Sequence, residues 1–175
     1  MESTQLGYYS NPDKIWNSAY INPYGKLYRE RVECLILKKN KVFLYFKSNG
    51  KYKIPGGSSE KGISLEKQLY NECKEESRIV IDKPKFIMTY TTEQSRIKYG
   101  VKYDGRLNHL YVAQYNGRYN GIIPECDRDD DMTEYGKFYK IKRVFFKLTP
   151  EHQTALLPYL SKSTRKKIIK QYSNS

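Results

Sequence analysis

The stretch that most constrains the fold of this chain covers residues 54–79, where two glycines lead through a short loop into a helical pattern. Ser64 is a favourable N-cap, Glu66 suits the positive first turn, and neither Pro nor Gly interrupts the pattern until past Arg78. An apolar stripe recurs every four residues, at Leu65, Leu69 and Cys73. The sequence therefore predicts a helix that packs one edge against a sheet.

Three carboxylates lie on a second edge of this helix, at Glu72, Glu75 and Glu76. At about 100° per residue they fall within roughly 100° of one another. Like charges at this spacing cost about a few tenths of a kcal/mol per pair, whereas a divalent cation such as Mg²⁺, which takes oxygen ligands, would reverse the sign of that cost. An E-x-x-E-E run is also common on solvated faces of Lys/Glu-rich helices. These residues alone leave metal binding and simple solvation both open.

Read from Gly57, the segment resembles the Nudix box. That pattern runs Gly, five residues, Glu, seven residues, Arg-Glu, an apolar residue, any residue, Glu-Glu, any residue, Gly and an apolar residue. The spacing fits without insertion or deletion, with matches at Gly57, Glu72, Cys73, Glu75, Glu76 and Ile79. Three positions depart from it, because Ile63 replaces Glu, Asn71 replaces Arg and Arg78 replaces Gly.

The resemblance implies a function for the matched residues. In the family the Glu-x-x-Glu-Glu group carries the metal ions, so Glu72, Glu75 and Glu76 are the expected catalytic and metal-binding residues, with Mg²⁺ or Mn²⁺ as cofactor. Glu75 and Glu76 are expected as direct ligands, and Glu72 as ligand or base. Gly56 and Gly57 would let backbone N–H groups approach a diphosphate, or form a tight strand exit, and both roles are compatible.

The order of predicted segments, together with the resemblance, implies an α/β fold, a Nudix-like α/β/α sandwich with a mixed central sheet. Strands are predicted at 31–37, 42–47, 78–81, 85–92, 107–115 and 135–144. Helices are predicted at 13–19, from the N-cap Thr149 onward, and at 163–171. The predicted division is an N-terminal arm at 1–29, the Nudix-like domain at 30–160, and a basic C-terminal helix or tail at 161–175.

Segments outside the box supply further candidates. The sequence of residues 93–105 predicts a hairpin or long loop. In Nudix enzymes, which the chain resembles, loops in this region help to determine which substrate is bound. Candidates for base stacking and phosphate contact are Tyr99, Lys102, Tyr103 and Arg106. The acidic segment 124–134 could supply an extra metal ligand or base, or form a solvated turn; its candidates are Glu125, Asp129, Asp130 and Glu134. His109, alone inside a strand, is interpreted as a packed or surface residue.

Composition bounds the cellular setting. The 175 residues suffice for one domain with a full core. With no long apolar run and no signal-peptide pattern, we expect a soluble cytoplasmic protein without membrane partners, in the host cytoplasm if a phage encodes it. Three cysteines without a C-x-x-C pair indicate neither a disulfide framework nor a zinc site. Cys34 and Cys73 are interpreted as core residues and Cys126 as a loop thiol.

The net charge of +13 and the 18 tyrosines favour polyanionic partners, although an AT-rich genome would supply the same residues. The resemblance predicts a pyrophosphohydrolase that cleaves a phosphoanhydride in a nucleoside-diphosphate-linked substrate, either a nucleotide or an RNA 5′ end. A homodimer stays open, because dimers are common among Nudix proteins. Two alternatives also stay open: a catalytically degenerate domain that binds nucleotide or RNA, and a structural protein such as a phage assembly component.

Overall fold

The structure is a computed structural model that describes residues 19–98, 100–119 and 136–172. The strands are β1 (Ala19–Ile21), β2 (Leu27–Lys38), β3 (Lys41–Phe46), β4 (Tyr52–Lys53), β5 (Gly56–Ser58), β6 (Ile79–Thr92), β7 (Arg96–Lys98), β8 (Val101–Tyr103), β9 (Gly105–Tyr119) and β10 (Lys137–Lys140). The α-helices are α1 (Leu65–Ser77), α2 (Ile141–Val144), α3 (Pro150–Leu156) and α4 (Lys162–Tyr172). The predicted helix at 13–19 falls almost wholly outside the described residues, as do Tyr99, Cys126 and the acidic segment 124–134.

The central sheet is mixed. Its strand order is β10-β3-β2-β9-β6, with β1 and β5 also paired to β2 and β4 paired to β3. The long strands β2 and β9 run parallel, from the Tyr28–Gly105 pair to the Leu37–Gln114 pair, while β9 and β6 run antiparallel. The glycine segment β5 pairs with β2, and β2 connects it to the other strands of the sheet.

Side-chain alternation along β2 produces two cores, one on each face of the sheet. On one face Val32, Cys34 and Ile36 pack with Leu69 and Cys73 of α1. On the other, the neighbouring positions Leu35 and Leu37 pack with apolar side chains of α2, α3 and α4, namely Ile141, Val144, Leu156 and Ile168. A strand buried on both faces has a nearly continuous apolar sequence, as Cys34 to Leu37 does. The predicted α/β/α sandwich is therefore confirmed.

Helix α1 begins and ends where the sequence predicts. The Ser64 hydroxyl accepts a hydrogen bond from the Lys67 backbone N–H at 3.3 Å. Arg78 closes the helix in the left-handed conformation, with φ of 57°, and its N–H donates to the Lys74 carbonyl at 3.1 Å. A non-glycine residue in this conformation costs about 1 kcal/mol, which is small beside the apolar burial of the helix.

Three predicted strands are wrong in their boundaries. Instead of separate strands at 78–81 and 85–92, the chain forms the single strand β6, whose pairing shifts between Asp82 and Lys85. Lys83, with φ of 44°, and the following Pro84 lie at this irregularity, where a bulge accommodates a residue without a backbone N–H. The predicted strand at 135–144 ends at Lys140, because the next residues form α2 and bury its two apolar side chains.

The remaining segments agree with the sequence. Residues 93–105 contain the β7–β8 hairpin, which is one of the two forms predicted for them. Thr149 caps α3, accepting from the His152 N–H at 3.4 Å. Cys34 and Cys73 are buried free thiols. Among the described residues, no helix is long and apolar enough to cross a membrane. The predicted division of the chain at 29/30 and 160/161 stays a prediction.

Helix α4 offers a matched test of packing. Ile168 is 4% exposed and lies in the core, whereas its neighbour Ile169 is 55% exposed. We expect Ile168→Ala to lower the free energy of unfolding by about 2–5 kcal/mol, because it leaves a cavity. Ile169→Ala should change it by about 0.5 kcal/mol or less. Urea denaturation followed by circular dichroism measures both, and equal losses would contradict the docking of α4.

Candidate active site

The carboxylate of Glu76 lies against the glycine segment that precedes α1. Its Oε2 accepts a hydrogen bond from the Gly56 backbone N–H at 2.9 Å, and its Oε1 lies 3.0 Å from Nζ of Lys53. Both side chains of this ion pair are about four-fifths buried. Glu76 therefore connects the last turn of α1 to β4 and β5, and its negative charge already attracts one cation.

Glu72 lies one turn earlier and contacts Gly57. The Glu72 carboxyl group occupies the space that a Cβ atom at Gly57 would fill, so the carboxyl lies directly against the backbone of Gly57. Oε1 of Glu72 accepts a hydrogen bond from Nε2 of Gln68 at 2.9 Å. Burial, with smaller contributions from Glu76 and Glu75, raises the pKa of the Glu72 carboxyl to about 7 against the opposing effects of Gln68 and Arg31. Near neutral pH this carboxyl can therefore both accept and release a proton.

Glu75 differs from its two neighbours because it is exposed. In the part of the chain that the structure describes, no three His, Cys, Asp or Glu side chains converge closely enough to hold one metal ion. Carboxylate oxygens are nevertheless the ligands that Mg²⁺ and Mn²⁺ prefer, and Glu72 and Glu76 lie side by side against two glycines. The mutual repulsion that helps to raise the pKa of Glu72 is of the kind that a cation relieves. The donor chemistry of Glu72 and Glu76 fits a divalent ion.

The opposite side of the glycine segment contacts Arg31 of β2. Nη2 of Arg31 donates to the Gly56 carbonyl oxygen at 3.0 Å, and Arg31 pairs with Ser58 across the β2–β5 ladder. Gly56 is thus held between an acidic residue of α1 and a basic residue of β2. The sequence did not single out Arg31, because one arginine in a basic chain carries no signal of its own.

Three further polar residues converge on the same side of β2 and were also missed from the sequence. Oε2 of Glu33 accepts a hydrogen bond from the Tyr90 hydroxyl at 2.6 Å and lies 3.3 Å from Nε2 of His152. Burial alone would raise the pKa of the Glu33 carboxyl, but His152 and Tyr90 outweigh it and hold the pKa below its ordinary value. Since these residues come from β2, β6 and α3, only the tertiary fold brings them together.

His109 is packed, in agreement with its interpretation from the sequence. Its Nε2 lies 2.7 Å from Oε1 of Glu30, and its Nδ1 lies 3.1 Å from the Thr89 hydroxyl. The Glu30 side chain is 6% exposed, so the histidine provides the hydrogen-bond partner that a buried carboxylate requires.

The predicted substrate-binding residues are distributed unevenly. Arg106 is half-buried on β9 and Tyr103 is buried on β8, and both act electrostatically on the guanidinium of Arg29 in β2. Lys102 is exposed on β8, and Tyr99 lies outside the described residues. The structure therefore brings two of these four residues near one another, on the side of β2 that carries Arg31.

Comparison with solved structures identifies the fold. The chain is similar to the mutator MutT protein of Bacillus halodurans, with 18% identity and a TM-score of 0.55 over 73% of this chain and 78% of that one. It is also similar to the NUDIX domain of Shewanella oneidensis NrtR, solved in complex with ADP ribose, with 16% identity and a TM-score of 0.54 over 79% and 90% of the two chains. A NUDIX hydrolase from Nitrosomonas europaea matches with 18% identity and a TM-score of 0.50, over 70% and 82%. No protein-family model and no curated protein sequence matches the chain.

The two glycines should respond differently to alanine. At Gly56 an added Cβ would overlap the Val32 carbonyl oxygen and lie 2.8 Å from Cα of Glu33, and neither backbone atom can move without disturbing β2. At Gly57 it would meet only the end of a flexible glutamate side chain. We expect Gly56→Ala to cost about 2 kcal/mol or more in free energy of unfolding and Gly57→Ala about 1 kcal/mol or less. Urea denaturation measures both, and an equal cost would contradict this geometry.

The hydrogen bond between Tyr90 and Glu33 predicts a pH-dependent effect. Because the pKa of Glu33 is lower in the folded protein than in the unfolded chain, its ionisation stabilises the fold at neutral pH, and this stabilisation disappears as pH falls through the folded pKa. Tyr90→Phe should therefore cost about 1–3 kcal/mol near pH 7 and less in acid, where the carboxyl is protonated. Denaturation titrations of parent and variant across this range test it. A cost that is constant or larger in acid would contradict it.

Proposed function

Since the chain has the Nudix fold, we propose that it is a pyrophosphohydrolase that cleaves a phosphoanhydride bond in a nucleoside-diphosphate-linked substrate. The observation that carries this proposal is the contact of Glu72 and Glu76 with Gly57 and Gly56. Two acidic side chains there face a backbone that no Cβ shields, so a phosphate group can approach both the carboxylates and the backbone. A solvated acidic helix face would not require this glycine contact.

The proposed roles follow the resemblance of residues 57–79 to the Nudix box. Glu76 and Glu75 are the proposed ligands of Mg²⁺ or Mn²⁺, and Glu72 is a ligand or the base. When bound, the ion would supply Lewis-acid chemistry to a phosphoryl oxygen. Glu72 has a carboxyl pKa of about 7, which suits a group that accepts a proton from the attacking water. In the hydrolysis a water oxygen bonds to phosphorus, the bridging P–O bond breaks, and the leaving phosphate keeps the electron pair.

The substrate class is proposed from the fold and the charge. The Shewanella oneidensis NUDIX domain was solved with ADP ribose, which supports a nucleotide-type ligand for the same fold. The net charge of +13 supports a ligand rich in phosphate, so a nucleotide or an RNA 5′ end is the proposed partner, in the cytoplasm.

Glu76→Gln tests the proposal. The substitution keeps the side-chain shape but removes the charge, so we expect turnover to fall at least about a hundredfold, equivalent to ~2.7 kcal/mol, with the fold retained. Glu66→Gln is the matched control, because Glu66 is exposed in the first turn of the same helix and should keep full activity. The assay supplies Mg²⁺ or Mn²⁺ with ADP-ribose, dinucleoside polyphosphates, NADH, nucleoside triphosphates and triphosphorylated or capped RNA. If Glu76→Gln turned over as fast as the parent, the site would be wrong.

A second candidate function is binding without catalysis. It is favoured by the ion pair between Glu76 and Lys53 and by the exposure of Glu75, since together they leave no three-ligand group in the described part of the chain. The same assay separates the two candidates. No product from any substrate, combined with tight nucleotide or RNA binding that weakens steeply with salt, would favour the binding protein.

A further inference from the structure

A group of polar side chains covers one end of the sheet on the face that carries α3. We call it the arginine face, and it consists of Arg29, Arg31, Thr92, Arg106 and Asn108. The β2–β9 ladder places Arg29 opposite Arg106 and Arg31 opposite Asn108, and the β6–β9 ladder places Thr92 opposite Arg106. On β2 these arginines share the parity of Glu33, which contacts His152 of α3, so they belong to that face.

Every member of the arginine face has a buried polar atom without a hydrogen-bond partner among the described residues. These atoms are Nη1 of Arg29, Nε of Arg31, Oγ1 of Thr92, Nε of Arg106 and Oδ1 of Asn108. Arg29 as a residue is 5% exposed and Asn108 is 1% exposed. A buried polar group without a partner costs about 1–3 kcal/mol, and more when it is charged. The three guanidinium atoms can only donate, the Thr92 hydroxyl can donate or accept, and Oδ1 of Asn108 can only accept. A surface in which donors predominate in two adjacent rows of one sheet is suited to a ligand rich in acceptor oxygens.

The arginine face also carries excess positive charge. Burial, followed by repulsion from Arg31, Arg106 and Arg96, lowers the pKa of the Arg29 guanidinium to about 10. Burial, and then the same kind of repulsion, lowers the pKa of Lys98 in the adjacent hairpin. Like charges directly opposite each other on paired strands destabilise a sheet, and Arg29 faces Arg106 in this way. An anion bound between them would reverse that effect.

The carboxylates nearby offset only part of this charge. Glu33 interacts electrostatically with Arg31 and Arg106, and its Oε2 also contacts Tyr90 and His152. Glu72 also interacts electrostatically with Arg31 and Lys98, so two carboxylates act on a group of three arginines and one lysine.

The arginine face adjoins the proposed active site. Arg31 belongs to it and also donates to the Gly56 carbonyl, while the N–H of the same glycine donates to Glu76. A ligand that extends from the glycine segment onto the sheet would therefore pass from the carboxylates to the guanidinium groups. Guanidinium groups bind phosphate in a planar, bidentate manner, and a terminal phosphate carries about −1.5 to −2 charges.

We infer that the arginine face binds a phosphate chain that extends beyond the cleaved linkage, so that the substrate is a nucleoside triphosphate or a 5′-triphosphorylated RNA end. This inference rests on the proposed function for the identity of the reaction, but the binding of the phosphate chain does not. A sugar linked to a nucleoside diphosphate places a neutral group where the three guanidinium groups lie. A terminal phosphate places negative charge there.

Calorimetric titration with inorganic tripolyphosphate, in EDTA and without added metal, tests the arginine face apart from catalysis. We expect the parent protein to bind tripolyphosphate and Arg106→Gln to bind it at least about tenfold more weakly. Arg143→Gln is the matched control, because Arg143 is exposed on α2, and it should bind like the parent. Equal affinity of Arg106→Gln and Arg143→Gln, or no binding by the parent, would overturn the inference.

Thermal unfolding separates a ligand-binding arginine from a structural one. Without anion, Arg106→Gln removes one of several neighbouring like charges, so its Tm should equal or exceed that of the parent. Tripolyphosphate should raise the Tm of the parent more than that of the variant. A lower Tm of the variant without anion, together with an unchanged tripolyphosphate shift, would assign Arg106 a structural role and overturn the inference.

Kinetics then distinguish a nucleotide from an RNA as the source of the phosphate chain. They also separate the phosphate-chain inference from the proposed function. We expect kcat/KM for ATP, GTP or a triphosphorylated oligoribonucleotide to exceed that for ADP-ribose at least about tenfold, and Arg106→Gln to reduce this ratio. Whichever of the nucleotide and RNA substrates has the higher kcat/KM identifies the source of the phosphate chain. Preference for ADP-ribose would overturn the phosphate-chain inference and leave the proposed function standing. Tripolyphosphate binding without turnover of any substrate would overturn the proposed function and leave the arginine face standing.

Discussion

The structure depends on the close contact of a glycine backbone with two other elements. Gly56 lies so near β2 that a Cβ would overlap the Val32 carbonyl, and Gly57 lies equally near the Glu72 carboxyl on α1. A side chain at Gly56 would push the segment away from the β2 backbone, whereas one at Gly57 would displace the Glu72 carboxyl group. Because the backbone is bare, its N–H and carbonyl groups make hydrogen bonds to both sides, to Glu76 and to Arg31. This segment is therefore where the acidic helix and the basic strand meet.

That meeting explains how a strongly basic chain can hold several carboxylates at one place. The acidic residues of α1 lie on one side of the glycine segment and the arginines of β2 and β9 lie on the other. Burial, with a smaller contribution from like charges nearby, keeps the pKa of Glu72 raised and the pKa of Arg29 lowered, and the contact between the two groups offsets this only partly. Perturbed pKa values of this kind cluster at functional sites.

The local part of this arrangement could be predicted from the sequence. The cap at Ser64 and the apolar stripe at Leu69 and Cys73 depend on residues close in the chain, and the structure has both. The α/β/α layers followed from the order of the predicted segments together with the resemblance to the Nudix box. The boundaries that were wrong, at Pro84 and after Lys140, depend on pairing and burial from distant elements.

The polar half of the candidate site could not be predicted in the same way. Arg29 and Arg106 become neighbours only because β2 and β9 pair in parallel, and Glu33 meets His152 only because α3 packs on that face. In a chain with 32 Lys and Arg residues, the sequence does not distinguish one arginine from another until the register of the paired strands is known. The sequence indicated Arg106 as a candidate because it lies near the loop at 93–105, but it did not indicate the neighbouring Arg29.

The ion pair between Lys53 and Glu76 has a consequence for how the protein would gain a metal ion. Both oxygens of this carboxylate are already engaged, one by an ammonium group and one by a backbone N–H. A divalent ion would therefore enter by exchange, adding one net positive charge at that oxygen instead of two. The ammonium group of Lys53, released from Glu76, would remain beside the same glycines because its backbone belongs to β4. It would then be able to pair with a phosphate group that binds there. Occupancy by cation and by anion would then be thermodynamically linked, each raising the affinity for the other.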